Sequence, residues 1–199
     1  PERLKDIRRE EAYEAALRLG VPRTSLHFFD VPDSRVYEHC HEVVASILQL
    51  AQVHKPQAVF LPHAKEPPSD HHLTYAYGRM ALDSWARPVR VFEYGVWYWQ
   101  HWPWVPLQFN ARASSRLKWR LSALRRFGIG AFTEYNCRLN IAEVLPIKQH
   151  AVEAHASQFG GPDFPRSWPV LGELEGGLIV QSWLQPVECF RVTKLAGKS

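Results

Sequence analysis

Ala58-Val59-Phe60-Leu61-Pro62 and, a helix-length away, Val89-Arg90-Val91-Phe92-Glu93-Tyr94 decide the fold class of this chain. Each is a short run of strand-forming residues, the first stopped by its proline. Between them lie a polar stretch, His63 to Ser69, and a helical repeat from about Asp70 to Ala86 that sets Leu73, Tyr77, Met80, Ala81 and Trp85 on one face. Upstream the same alternation continues. Pro1 to Gly20 carries Leu4, Ile7, Ala12, Ala15, Ala16 and Leu19 near a 3.6-residue spacing, with Gly20 where a helix stops. Leu26 to Phe29 predicts a strand running into the turn at Asp30, Pro32 and Asp33, and Val36 to Val53 returns to helical spacing.

Downstream the regularity fades between Gly95 and Ile129. Trp97, Tyr98, Trp99, Trp102 and Trp104 crowd beside Pro103 and Pro106, which predicts a loop or lid. Its rings either cover a sheet edge or an oligomer contact, or form a platform for sugar rings or lipid. Order resumes with a strand at Cys137 to Ile141 and a helix from about Ala142 to Gln158, and the tail from Trp168 to Thr193 ends in a run suited to an edge strand. Helices alternating with strands over short connections predict an α/β fold, a Rossmann-like three-layer sandwich with a mainly parallel sheet. Sites in such folds form at the carboxyl ends of strands.

At 199 residues the chain reads as a single domain, long enough to bury a core without disulfides or metal. With 46% hydrophobic and 22% charged residues it is neither disordered nor, lacking an apolar run of about 20 residues, membrane-spanning. Three cysteines (Cys40, Cys137, Cys189) with no CxxC spacing make no disulfide framework, and the cytoplasm is the expected compartment. The net charge of +4 is too small to demand a polyanionic partner, so nucleic acid is not expected. The excess is local: Arg112, Arg116, Lys118, Arg120, Arg125 and Arg126 form an acid-free stretch, either a solvated helix face or a surface for phosphates. Association into oligomers is left open.

The densest chemistry follows the first of the two strands. Glu66-Pro67-Pro68-Ser69-Asp70-His71-His72-Leu73-Thr74 places acids and two histidines where a strand hands over to a helix. Asp and His there suit a hard or borderline cation such as zinc. Equally, Ser69 or Asp70 suits the helix N-cap, which needs no metal. His71 and His72 diverge by about 100° on a helix, so they cannot both face one ion.

The run from Val59 to Thr74, with Pro62, Glu66, Asp70-His71 and Thr74, resembles the His-x-Asp-His segment of the LmbE/PIG-L family of zinc-dependent N-acetylglucosaminyl deacetylases. Four further stretches agree in order. Arg8 and Glu11, in the helix ending Leu19-Gly20-Val21, resemble the family's Arg-x-x-Glu helix, and Phe92-Glu93-Tyr94-Gly95-Val96-Trp97 its Tyr-Glu-Tyr-x-x-Trp strand. Lys148 to Ala151 with His155-Ala156-Ser157-Gln158 resembles its Lys-x-x-Ala and His-x-Ser-Gln helix, and Glu188-Cys189-Phe190 its terminal Glu-x-Phe. The resemblance implies that His71 is a zinc ligand, that Asp70 orients a neighbouring group, and that Arg8 faces the acyl end of the substrate. It gives Lys148, His155, Ser157 and Gln158 a mainly structural role. The activity implied is hydrolysis of an N-acetyl group from an amino sugar or its conjugate. In it, zinc would polarise the amide carbonyl and lower the pKa of its bound water towards ~7.

Two departures accompany the resemblance. The family's other metal ligands and its general base lie in a His-Pro-Asp-Asp-Glu-like run that nothing here matches, so the chain is expected to be a domain truncated at its N-terminus and, alone, inactive. Pro68 also stands where the family has the first His of His-x-Asp-His, and proline has no donor for an oxyanion. His72 and His63 are the candidates to replace it. The contrasting expectation is a non-catalytic member of the fold that binds a glycan or a protein partner.

Overall fold

A computed structural model describes residues 2–66, 68–85, 87–97, 134–160 and 170–197. The expected aromatic lid beyond residue 97 and the basic stretch at 112–126 lie outside the described residues. Five α-helices are described: α1 (Glu2–Arg18), α2 (Cys40–His54), α3 (Ser69–Ser84), α4 (Leu145–Glu153) and α5 (Leu178–Trp183). Four strands accompany them: β1 (Ala58–Pro62), β2 (Val89–Tyr94), β3 (Cys137–Asn140) and β4 (Val187–Leu195). Contacts sort these residues into two compact sets, one built from 2–28 and 140–188, the other from 29–97, 134–139 and 189–197.

The second set holds the sheet, ordered β1-β2-β4-β3. β1 and β2 run parallel with Ala58 opposite Arg90 and Pro62 opposite Tyr94, as a strand-helix-strand connection through α3 requires. The mainly parallel expectation is corrected beyond that pair. β4 lies antiparallel on β2, with Glu93 opposite Arg191, and it sits inside the sheet between β2 and β3 instead of at the edge. Local pattern reports that a segment is extended; it carries no information on the direction from which a distant strand arrives. The described architecture is a mixed α/β fold.

Period-two alternation on β2 buries Val89, Val91 and Glu93. The two valines join Ala51 of α2, Leu61 of β1, Leu82 of α3 and Trp85 in one apolar cluster, with Tyr75 and Leu195 against it. Gly78 leaves room for this packing: a Cβ there would stand 2.7 Å from Leu61 Cδ2, and the Leu61 side chain would have to shift to admit it. Across the sheet, Phe60, Phe92 and Phe190 pack ring on ring, with Phe60 stacked on Phe92 at 4.8 Å.

In the first set α1 ends where the glycine signal places it. Gly20 takes φ +74, its N–H reaches the Leu17 carbonyl, and the Val21 N–H reaches Ala16, the paired bonds of a Schellman cap. Leu26–Phe29 is not a strand, which corrects that expectation. A 3-10 turn at Arg23–Ser25 leads into a segment that is not assigned as a strand. Its apolar side chains serve packing instead of pairing: Phe28 meets Tyr13 of α1 edge-on at 5.3 Å, and the Arg9 guanidinium lies over the same ring.

The helix expected over 142–158 is also shorter. α4 stops at Glu153, and residues 156–158 tighten into a 3-10 turn because the Glu11 carboxylate takes both the Ser157 N–H (2.6 Å) and the Ser157 hydroxyl (2.7 Å). Nearby, the Lys148 ammonium donates to Glu188 and to the Trp183 carbonyl, both at 2.6 Å. Leu82, 2% exposed at the centre of the second cluster, is the position where truncation leaves a cavity. Leu82→Ala is expected to lower unfolding stability by about 2–5 kcal/mol in urea titration, with the m-value unchanged.

Candidate functional site

The carboxyl ends of β1 and β2 lie side by side, and the chain leaving β1 makes a four-residue turn, His63 to Glu66, before α3 begins. Each N–H of that turn has an acceptor. His63 donates to the Tyr94 carbonyl (2.7 Å), Ala64 to Glu93 Oε2 (3.3 Å), Lys65 to the His63 Nδ1 (3.1 Å) and Glu66 to the His63 carbonyl (3.0 Å). The turn is therefore fixed residue by residue.

Glu66 is what the turn delivers. Its side chain is fully buried. Oε1 accepts the Val96 N–H at 2.8 Å, and Oε2 accepts the Trp97 N–H at 3.0 Å and the His71 Nδ1–H at 3.0 Å. An ionised carboxylate only accepts, so Nδ1 carries a proton in this contact, and in the neutral ring Nε2 keeps its lone pair, on a side chain 33% exposed. A histidine oriented through Nδ1 by a buried carboxylate is prepared to bind a metal or accept a proton at Nε2. His72 turns elsewhere, its Nδ1 on the Ala64 carbonyl at 2.9 Å, so the two neighbours diverge as helical geometry demands.

Asp70 is not the N-cap of its helix. Pro68 occupies the N-cap of α3 with no side-chain cap, and Asp70 Oδ2 accepts the Ser34 N–H at 2.6 Å. Ser34 has φ +63, so the carboxylate holds a turn in the left-handed region, and the N-cap alternative is set aside. Arg8 is exposed on α1. Among the candidate replacements for the histidine absent at Pro68, His63 is fully buried and stacked on Tyr135, while His72 is exposed.

Among the described residues no three or more His, Cys, Asp or Glu side chains gather as a metal site needs. His71 is a single prepared ligand, which does not make a zinc centre. The sequence reading named Glu66 as an acid of the segment but missed its part in orienting His71. It also gave no part to Glu93 or Glu11. Glu93 was findable: it continues the inward row Val89, Val91, where a charge is out of place. Among the described residues no helix is long and apolar enough to cross a membrane.

A family model described as PIG-L, GlcNAc-PI de-N-acetylase, matches residues 1–82, the part of the chain that holds β1, Glu66 and His71. That match agrees with the resemblance carried by the motifs of the same segment. No curated protein sequence matches the chain. Among solved structures it is similar to GalB, the 4-carboxy-2-hydroxymuconate hydratase from Pseudomonas putida KT2440, at 19% identity and TM-score 0.49, over all of this chain and 75% of that one. The likeness is too distant to transfer a fold or an activity.

Burial pushes the His63 imidazole below its ordinary value; Glu93 and Glu134 oppose the shift, and Arg191 and Lys65 reinforce it. A proton on Nδ1 would also face the Lys65 N–H that this atom now accepts. Burial lowers His155 likewise, against Glu11. The folded state thus binds fewer protons than the unfolded chain below pH ~6.5, and stability falls on acidification through that range. Urea titrations between pH 8 and pH 5 are expected to show a loss of at most about 1.4 kcal/mol per pH unit for each histidine. His63→Asn should flatten the slope, and an unchanged slope would refute the assignment.

Proposed function

We propose that the protein hydrolyses the N-acetyl group of an amino sugar or its conjugate, with His71 as the oriented imidazole of the site. The observation that carries this reading is the Glu66–His71 hydrogen bond at the carboxyl end of β1, inside the segment matched by the de-N-acetylase family model. Zinc is the cofactor of the reading, and one imidazole does not hold it alone, so no step through the metal is derived. Asp70 contributes by fixing the Ser34 turn beside the start of α3. Arg8 is assigned to the acyl end on the strength of the motif, as an exposed side chain that a planar anion or carbonyl can engage.

A second reading has its own observation. Pro68 caps α3 without a side-chain donor, at the position where the resemblance calls for a donating histidine. A chain of this kind would bind the glycan and leave it intact.

Acetate release from N-acetylglucosamine conjugates by the protein, with and without added zinc, separates the two. Release lost in His71→Ala, with stability retained, is the expected result; glycan binding without release favours the second reading. Arg8→Lys should reduce turnover much more than stability, because a point charge does not replace the planar fork. Calorimetric titration of the 199-residue chain with zinc is expected to show no stoichiometric tight site. A tight site abolished by His71→Ala would mean that residues beyond those described complete the ligand set.

A further inference from the structure

Glu93 is a carboxylate with no place in a sheet core. It is 0% exposed on β2, in the row that begins with Val89 and Val91, and an apolar residue there would continue the cluster. Burying a carboxylate costs several kcal/mol unless its oxygens are matched. Among the described residues its Oε1 meets no hydrogen-bond donor. The matched oxygen is Oε2. It accepts the Ala64 N–H at 3.3 Å, and Arg191, its register partner on β4, brings a guanidinium nitrogen to 3.9 Å.

Ala64 is the pivot of the turn that carries the site. Its N–H is held by Glu93 and its carbonyl by His72 Nδ1. Two residues on, Glu66 enters the hydrogen bonds with Val96, Trp97 and His71. A displaced Ala64 would carry Glu66 with it, and at hydrogen-bond range a shift of about 1 Å is enough to lose the His71 contact. From this geometry we infer that Glu93 is a positioning residue: through the Ala64 N–H it sets the 63–66 turn, hence the Glu66 carboxylate, hence the nitrogen on which His71 carries its proton. Glu93 lies beyond the residues matched by the family model. The assignment rests on the functional reading above for the meaning of the site and on the distances for its mechanism.

The test reads the His71 ring by long-range proton–nitrogen correlation in the intact chain. Wild type should show His71 protonated at Nδ1 and bare at Nε2. Glu93→Gln keeps an acceptor for Ala64 and should preserve that pattern. Glu93→Met fills the volume without an acceptor and should lose the Nδ1–H signature of His71. Glu93→Met folded with His71 unchanged, or Glu93→Gln losing the signature as well, overturns the proposal. Should Glu93→Met not fold, amide exchange in wild type decides: Ala64 is expected to exchange at least about tenfold more slowly than an open-chain amide, and exchange at the open-chain rate overturns the proposal. None of these measurements reads turnover, so a failure of the deacetylase reading would appear in the acetate assay alone.

Discussion

The buried carboxylate of Glu66 is the interaction on which the described site depends. It gathers the backbone N–H groups of Val96 and Trp97, just past β2, and the ring of His71 on α3. The connection after β2 and the first turn of α3 thus share one anion. Converging donors offset the cost of burying this carboxylate, since each hydrogen bond to a charged group contributes about 1.5–3 kcal/mol. The carboxylate therefore also ties the connection after β2 to the turn after β1. That tie keeps the carboxyl ends of both strands in one place, where open sheets generally bind their ligands.

Much of this frame was legible in the sequence, and for identifiable reasons. β2 was read with its observed bounds, Val89–Tyr94, because its inward row is unbroken until Glu93 and Gly95 follows the last residue. α1 ended where Gly20 signalled, since a left-handed residue closes a helix in a way few other positions mimic. Leu26–Phe29 failed because a short apolar run is silent on whether the backbone will pair; here Phe28 and Phe29 stay exposed and Phe28 meets Tyr13 edge-on. β4 was found as extended but misplaced, since its position depends on β2, about a hundred residues earlier.

The site divided along the same line. Residue type marked the segment, the family resemblance singled out His71 within it, and the divergence of His71 from His72 followed from helix geometry. The orienting partner of His71 was not singled out, because a contact five residues apart across a turn has no periodic signature. Asp70 shows the converse: capping chemistry fits its local sequence well, yet the carboxylate answers to Ser34, 36 residues away. Where tertiary donors compete with local ones, a short motif identifies the residue and leaves its role open.

The clamp between Glu11 and Ser157 also bears on how the chain is made. It joins residues 146 apart, and Lys148 reaches forward to Glu188 in the same compact set. On a ribosome adding about 5–20 residues per second, α1 waits roughly 7–30 s for its partner to be synthesised. Through that interval the faces of Ala15 and Ala16, buried in the finished fold, have only nascent chain or a chaperone to meet. The sheet is closed late as well, since β4 is the last strand to emerge and β2 is flanked on one side only until it does. Vectorial synthesis therefore leaves both ends of the sequence to be completed late, and a ribosome stalled before residue 157 would present α1 without the Ser157 partner of Glu11.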